Sequence, residues 1–422
     1  MSGASRTLAA LVVGLAMGGL IRAAHWPWLL TAADALKPLG DLWLAALRMT
    51  LTPLIFTLVA SAAAGWGGGA RSDGAGGGGT IGVAVGVFAV LLILAAAGGA
   101  SLMSLLLALW PTPPGALVGL VHGGGEAHPA APSIPDQIIA LIPTNPVAAA
   151  AQGEMTPLIV FALIFGLALG RIEAGRRSAV LQVLHGSADA MMTIVRWVLV
   201  LAPLGVFVLA LGVALHAGLA AAGVLVQAVA LTSTVLIAGI AASYVVAALG
   251  GGVGPVRFAR AAAAPQAMAA STTSSMATLP ALLTAAERRL GLPESFVGGV
   301  MPLAVSTFRF GNVCLISGTA VFAAHAAGLH PGVLQIAAAA GVVILTNIGV
   351  LGLPAAAVLY AAEAPAFQAI GAPLELLPLL IATAAIPDIL DTVCNVTADL
   401  AATTVIARFA GVKAGAPEPE SV

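Results

Sequence analysis

Charge is what this chain has least of. Of its 422 residues, 17 are acidic and 16 basic, 8% charged in all, against 60% hydrophobic. A water-soluble domain clothes itself with roughly a quarter charged residues. A soluble fold of this length would leave most of its apolar surface bare, so the solvent of this chain is lipid. The formal net charge of -1, with no basic run, offers nothing to nucleic acid. Cysteine is nearly missing too. Cys314 and Cys394 both lie in apolar stretches and read as small buried hydrophobes, neither a disulfide framework nor a metal pair.

Catalytic signatures are lacking as well. There is no His-Glu-x-x-His segment and no Gly-x-Ser-x-Gly elbow. A serine and threonine cluster at 271–278 has no nearby histidine or lysine to act as base. The glycine-rich stretch Gly67 to Gly79, with Arg71 and Asp73, lacks the Lys-Ser/Thr ending of a phosphate loop. It reads as a flexible connection. His122 to Asp136 reads as a second one, with a metal site from His122, Glu126 and His128 as the less favoured alternative. The residues after Lys413 read as a short polar, disordered tail. The N-terminus, Arg6 followed by an apolar run from Leu8 to Leu20, has the outline of a signal peptide. Further apolar spans follow at once, so a first membrane helix is the expectation.

Long apolar runs are what the chain has in abundance. A spanning helix needs about 20 apolar residues. Suitable runs lie at 7–30, 42–66, 80–110, 156–172, 189–217, 220–250, 295–327 and 374–407. Two more, 257–288 and 332–365, are interrupted, the first at Ser271 to Pro280 and the second at Asn347 to Pro354. Irregular backbone survives at membrane depth only inside protein or beside a water-filled cavity. Paired interrupted segments point to the binding site of a transporter.

Basic residues set the orientation. With the N-terminus inside, Arg6, Arg71, Arg171, Arg176, Arg177, Arg257, Arg260, Arg288, Arg289, Arg408 and Lys413 fall on the cytoplasmic side. Arg22, Lys37 and Arg48 fall opposite. That count works only if each interrupted segment enters and leaves on one face. Both are then re-entrant hairpins. The fold expected is all-α and integral to the membrane, with eight transmembrane helices and two re-entrant helical hairpins, in the inner (plasma) membrane of the cell.

The last run carries charges that lipid does not welcome. Asp388, Asp391, Asn395 and Asp399 stand at i, i+3, i+7 and i+11, one face of a helix. Each carboxylate at membrane depth costs on the order of 2.5–3.5 kcal/mol on insertion scales. The preceding run offers one basic partner, Arg309, in Phe308-Arg-Phe-Gly-Asn312. One arginine against three acids leaves two negative charges for a cation, a cationic substrate group or protons to relieve. The bland alternative, a single Arg309–Asp pair locking two helices, does not need three acids. Taken alone, Asn395 reads as an interhelical hydrogen-bond partner, Thr392 as bonded to its own backbone, and the serines as turn satisfiers. Their alignment raises them to site candidates. Asp189 and Arg196 are read as interfacial or paired.

These residues resemble a known family along nearly the whole chain, the dicarboxylate/amino acid:cation symporters that include the glutamate transporters. The resemblance is carried by Gly40-Asp-Leu-Trp43, Arg48-Met-Thr-Leu-Thr-Pro-Leu-Ile-Phe56, Ile142-Pro-Thr-Asn-Pro146 and Ala202-Pro-Leu-Gly-Val-Phe207. The tip ending Thr278-Leu-Pro280, the tip Gly349 to Pro354, and Asn395-Val-Thr-Ala-Asp399 complete it. It implies a homotrimer in lipid, moving a small-molecule substrate by an elevator motion. Residues 1–78 and 113–218 would form the scaffold, 79–112 and 219–412 the transport domain, and 413–422 the tail. It implies substrate contacts from Ser274 and Ser275 at the first tip, Arg309 and Asn312, and Leu353, Ala356 and Ala357 at the second gate. Asp388 would meet an amino group, beside Asp391, Thr392 and Asn395. Asp399 and Asn395 would belong to a cation site.

Two departures from the family pattern alter these expectations. Its seventh helix usually carries Asn-Met-Asp-Gly-Thr, whose Asn and Asp hold sodium. Here the positions read Phe308-Arg309-Phe310-Gly311-Asn312. A hard cation wants oxygen ligands, which two phenyl rings cannot supply, and Arg309 becomes a candidate surrogate cation. Sodium is then not expected as coupling ion. The proton, carried by one of Asp388, Asp391 or Asp399, takes its place, with exchange of one amino acid for another as the runner-up. No other cofactor is expected. Second, Asp391 stands where acidic-substrate members place an arginine. A desolvated carboxylate there would repel glutamate or aspartate, so a neutral or basic amino acid is favoured. The alternatives are a conventional sodium-coupled symporter of dicarboxylates or acidic amino acids, and an uncoupled channel-like or sensing relative.

Overall fold

A chain in lipid must satisfy its backbone polar groups internally, and a helix does so within its own segment. The computed structural model describes residues 3–24, 27–67, 77–112, 142–152, 155–217, 220–349 and 355–412. Among these every regular element is helical. The first elements are α1 (Gly3–Ala24), α2 (Pro27–Asp34), α3 (Lys37–Gly67) and α4 (Gly77–Leu109). After them come α5 (Pro146–Gln152), α6 (Met155–Leu169), α7 (Ala174–Val200), α8 (Ala202–Ala217) and α9 (Ala220–Leu249). A hairpin of α10 (Pro255–Thr272) and α11 (Ser275–Thr284) follows, closed by a π-helical turn at Ala285–Arg289. Next are α12 (Glu294–Thr307) and α13 (Phe310–Ala326), then α14 (Val333–Gly349) and α15 (Ala355–Ile370). The chain ends on α16 (Leu377–Thr383) and α17 (Ala385–Phe409). Four stretches are long and apolar enough to cross a membrane among the described residues: Gly82–Leu109, Ala222–Leu249, Glu294–Ala326 and Ile386–Phe409.

The helices fall into two compact units. One takes Met1–Gly69, Ser104–Val229 and Thr319–Ala385, the other Ala70–Met103, Ala230–Gly318 and Ile386–Val422. In the first, α1 lies tightly on α8. A methyl group on Gly14 would sit 2.6 Å from the Phe207 carbonyl, and one on Gly18 2.6 Å from that of Leu211. Small residues let helices approach this closely in lipid, where packing rather than water drives association. Trp43 lies over Gly205 and its indole N–H donates to the Val198 carbonyl at 2.9 Å. The Asn145 side chain accepts from the Val147 and Ala148 N–H groups, capping α5 as Asn does at helix starts.

The second unit holds most of the candidate site. Its core joins Phe258, Leu282, Val297, Met301, Val396 and Leu400 from the hairpin, α12 and α17. Basic side chains close its helix ends. Arg257 donates to the carbonyls of Arg289 and Leu290, and Arg408 to those of Leu249 and Gly250. Carbonyls left over at helix C-termini are thereby satisfied. Val90, Ile93 and Leu94 of α4 stand exposed, apolar surface of the kind that lipid covers.

Three expectations from the sequence meet the structure here. The interruption expected across Ser271 to Pro280 is real but only two residues wide, Thr273 and Ser274, and α11 runs on through Pro280. The second interruption separates α14 from α15, and its tip at 350–354, with Leu353, lies outside the described residues. The backbone of Ala356 and Ala357 falls in α15. The run 295–327 is one apolar stretch long enough to cross a membrane, Glu294–Ala326, but it is not one continuous helix. Its helix stops at Thr307 and restarts at Phe310, with Phe308 turned out of helical geometry at φ -95, ψ 82. The loop candidates His122, Glu126 and His128, and Arg71, also lie outside the described residues.

Candidate substrate and cation site

The break between α12 and α13 creates the first feature of the site. A helix that restarts presents backbone N–H groups without partners. The N–H of Gly311 donates to the side-chain oxygen of Asn395 at 2.8 Å, and that of Asn312 to the same oxygen at 3.4 Å. Asn395 then passes its amide to Asp391 Oδ1 at 3.2 Å. Asp391 is buried and packs so closely on Gly311 that a methyl there would lie 2.7 Å from its Oδ1. Asn395 and Asp391 therefore brace the break from the last helix.

The acidic face of α17 forms as the spacing implies, but its members stand in different surroundings. Asp388 is half-buried and has no side-chain hydrogen bond among the described residues. Thr392 is buried and donates its hydroxyl to the Asp388 carbonyl at 2.9 Å, the backbone role that threonine takes in helices. Asp399 is 1% exposed, and neither carboxylate oxygen has a hydrogen-bond partner among the described residues. The Asn312 side-chain oxygen is likewise buried and without a partner.

Arg309 sits in the gap between the two half-helices, partly exposed. Its positive charge acts on Asp388, Asp391 and Asp399 alike. No ion pair within 4.0 Å joins it to an acid among the described residues. Its neighbours in sequence turn away from polar contact. Phe308 stacks on Phe88 of α4 with ring centroids 4.8 Å apart at 15°, and Phe310 lies 6.0 Å from Phe308. These rings do not fit the shell of a hard cation, which takes oxygen ligands. Among the described residues no three His, Cys, Asp or Glu side chains converge as a metal site.

At the hairpin tip the hydroxyls divide by role. Those of Ser271, Thr272, Thr273 and Thr278 donate to nearby carbonyls. The Ser274 hydroxyl accepts the Ala277 N–H at 3.3 Å as the cap of α11. Ser275 alone among them has no hydrogen-bond partner among the described residues. Thr273 takes φ 48, the left-handed region, at a cost of about 1–3 kcal/mol for such a residue.

Sequence reasoning missed two supports. Gln266 of α10 donates to Thr397 Oγ1 of α17 at 3.0 Å and to the Tyr244 hydroxyl at 3.3 Å, tying the hairpin to two helices. Its signal was a lone amide among alanines. The second is Phe88, whose partner ring was visible only once α4 and the break were placed together.

A helical protein of the membrane, with its polar chemistry gathered at a broken helix, a hairpin tip and an acidic helix face, has the construction of a transporter. A profile of the sodium:dicarboxylate symporter family matches residues 4–409. The chain belongs to that family, one of plasma-membrane transporters rather than enzymes. It is 29% identical over 273 residues to the proton/glutamate-aspartate symporter of Escherichia coli (strain K12), covering 64% of this chain and 62% of that protein. It is 28% identical over 420 residues to the C4-dicarboxylate transport protein of Pseudomonas syringae pv. syringae (strain B728a), covering 96% and 87%. The proton/sodium-glutamate symport protein of Bacillus caldotenax is 26% identical over 287 residues, covering 66% and 65%.

Proposed function

We propose that the protein is a secondary active transporter of amino acids or related small carboxylates, working without sodium. The observation that carries the reading is the docking of the α17 acidic face on the α12–α13 break. It leaves Asp388 half-buried without a side-chain hydrogen bond among the described residues, as a substrate ammonium group requires. Ser275 supplies a hydroxyl without a partner among the described residues. Two phenyl rings stand where the family resemblance places sodium ligands. Coupling then falls to the proton, or to exchange of one substrate for another. The elevator motion and the homotrimer belong to the same proposal and rest on the family alone.

A neutral or basic amino acid is the favoured cargo, because three acids face one arginine. A second reading is favoured by one observation. The Asp391 carboxylate is engaged by Asn395, while Arg309 has no direct ion pair among the described residues. Arg309 would then receive the distal carboxylate of an acidic substrate, the cargo named for the relatives. Proteoliposome uptake of radiolabelled arginine, lysine, serine, glutamate and succinate separates the readings. Concentrative uptake of arginine, lysine or serine supports the first. Glutamate or succinate winning moves the assignment to the second. Equilibration without accumulation for all five, under proton gradient and counterflow alike, contradicts secondary active transport.

A further inference from the structure

Arg309 brings a full positive charge to the helix break, and three carboxylates of the last helix lie within its field. We propose that Arg309 is a built-in counter-ion, a covalently attached cation that serves Asp388, Asp391 and Asp399 together. The empty site then keeps its acidic face without drawing in a free metal cation.

Three observations support the shared role. A lock between two helices would show a short, bidentate arginine–carboxylate contact, and none within 4.0 Å is present among the described residues. Asp399 is buried with both oxygens lacking donors, and Arg309 is the cation whose field reaches it. The flanking rings of Phe308 and Phe310, with Phe88 stacked on Phe308, make the surroundings of the break apolar. Apolar surroundings weaken screening of a charge, and phenyl rings hold no oxygen for a competing ion. What Arg309 supplies is therefore charge balance at a distance. Its removal is compensated by any change that takes away a negative charge or brings back a positive one.

This role presupposes the transporter reading above, so thermal unfolding of the purified protein is measured beside substrate binding. Wild type is expected to unfold at the same temperature in sodium and in choline chloride at equal ionic strength. Arg309→Met is expected to unfold at lower temperature in choline and to regain part of the loss in sodium, which enters the vacated place. Arg309→Lys is expected to stay near wild type. The double variant Arg309→Met/Asp399→Asn is expected to recover most of the loss in choline, and substrate binding within about tenfold of wild type. Should Arg309→Met not fold, the double variant is still expected to. A double variant no better than Arg309→Met, or one that does not fold, overturns the inference, and so does sodium stabilisation of wild type. Recovered stability with binding still lost overturns it too, and marks Arg309 as a direct substrate contact. Absent transport in a protein that follows the expected stability pattern contradicts the transporter reading alone.

Discussion

The backbone N–H of Gly311 and the side-chain oxygen of Asn395 meet at 2.8 Å. A helix start is ordinarily capped by the residue just before it, yet here the acceptor comes from 84 positions along the chain. The α12–α13 break and the last helix are therefore one structural feature. Whatever fixes Asn395 also fixes where Arg309 and the half-helix N-terminus sit.

Replacing Asn395 by leucine keeps the volume and removes both roles. The Gly311 N–H and the Asp391 carboxylate each lose a partner, and an unsatisfied buried group costs about 1–3 kcal/mol. Asn395→Leu is expected to lower the unfolding temperature of the purified protein and abolish uptake. Asn395→Asp keeps an acceptor but adds a charge beside Asp391, and is expected to be worse than Asn395→Gln.

Gly311 and Gly298 lie on the two sides of the break and differ in their surroundings. A methyl on Gly311 would meet Asp391 Oδ1 at 2.7 Å, the Asp391 carbonyl at 2.8 Å and Cys394 Cβ at 2.8 Å, whereas one on Gly298 meets nothing within 4 Å. Gly311→Ala is expected to lose stability and transport together. Gly298→Ala is expected to match wild type in both, or to gain up to about 1 kcal/mol from helix propensity.

Ser274 and Ser275 are neighbours with separable effects. Ser274→Ala removes the α11 cap and is expected to cost about 0.5–2 kcal/mol of stability. Ser275→Ala removes a hydroxyl that has no partner among the described residues. It is expected to leave the unfolding temperature unchanged and to weaken substrate binding, measured by titration calorimetry.

Thr273 holds the hairpin tip in left-handed backbone at φ 48. Glycine takes that conformation without the side-chain clash. Thr273→Gly is expected to be neutral or stabilising by up to about 1 kcal/mol, while Thr273→Val, equally branched and without the hydroxyl, is expected to destabilise. Chemical unfolding of the three proteins side by side reads the order.

How far the sequence carried depends on the kind of signal. The acidic face was legible because four polar residues in an apolar run repeat with helical period, and α17 carries them all. The first hairpin was legible from its serines, but its width was not. A run of hydroxyls reads as ten residues of turn, although Thr272, Thr273 and Thr278 donate to nearby carbonyls and let the helices continue almost to the tip. The break at Phe308 was hidden, because phenylalanine and valine around it satisfy any hydropathy window. Its one local sign is Gly311, whose missing side chain admits Asp391. The surroundings of the three acids were beyond sequence altogether. Spacing puts Asp391 and Asp399 on the same face, but only the local surroundings decide that one is held by Asn395 and the other by no donor among the described residues.

Sodium replacement tests the central claim most directly. In proteoliposomes loaded with substrate for counterflow, and again under an inward proton gradient, external sodium is exchanged for choline at constant ionic strength. A site in which Phe308 and Phe310 have displaced oxygen ligands and Arg309 carries the positive charge is expected to give the same initial uptake rate in both salts. Uptake that vanishes in choline and rises steeply with sodium contradicts the account.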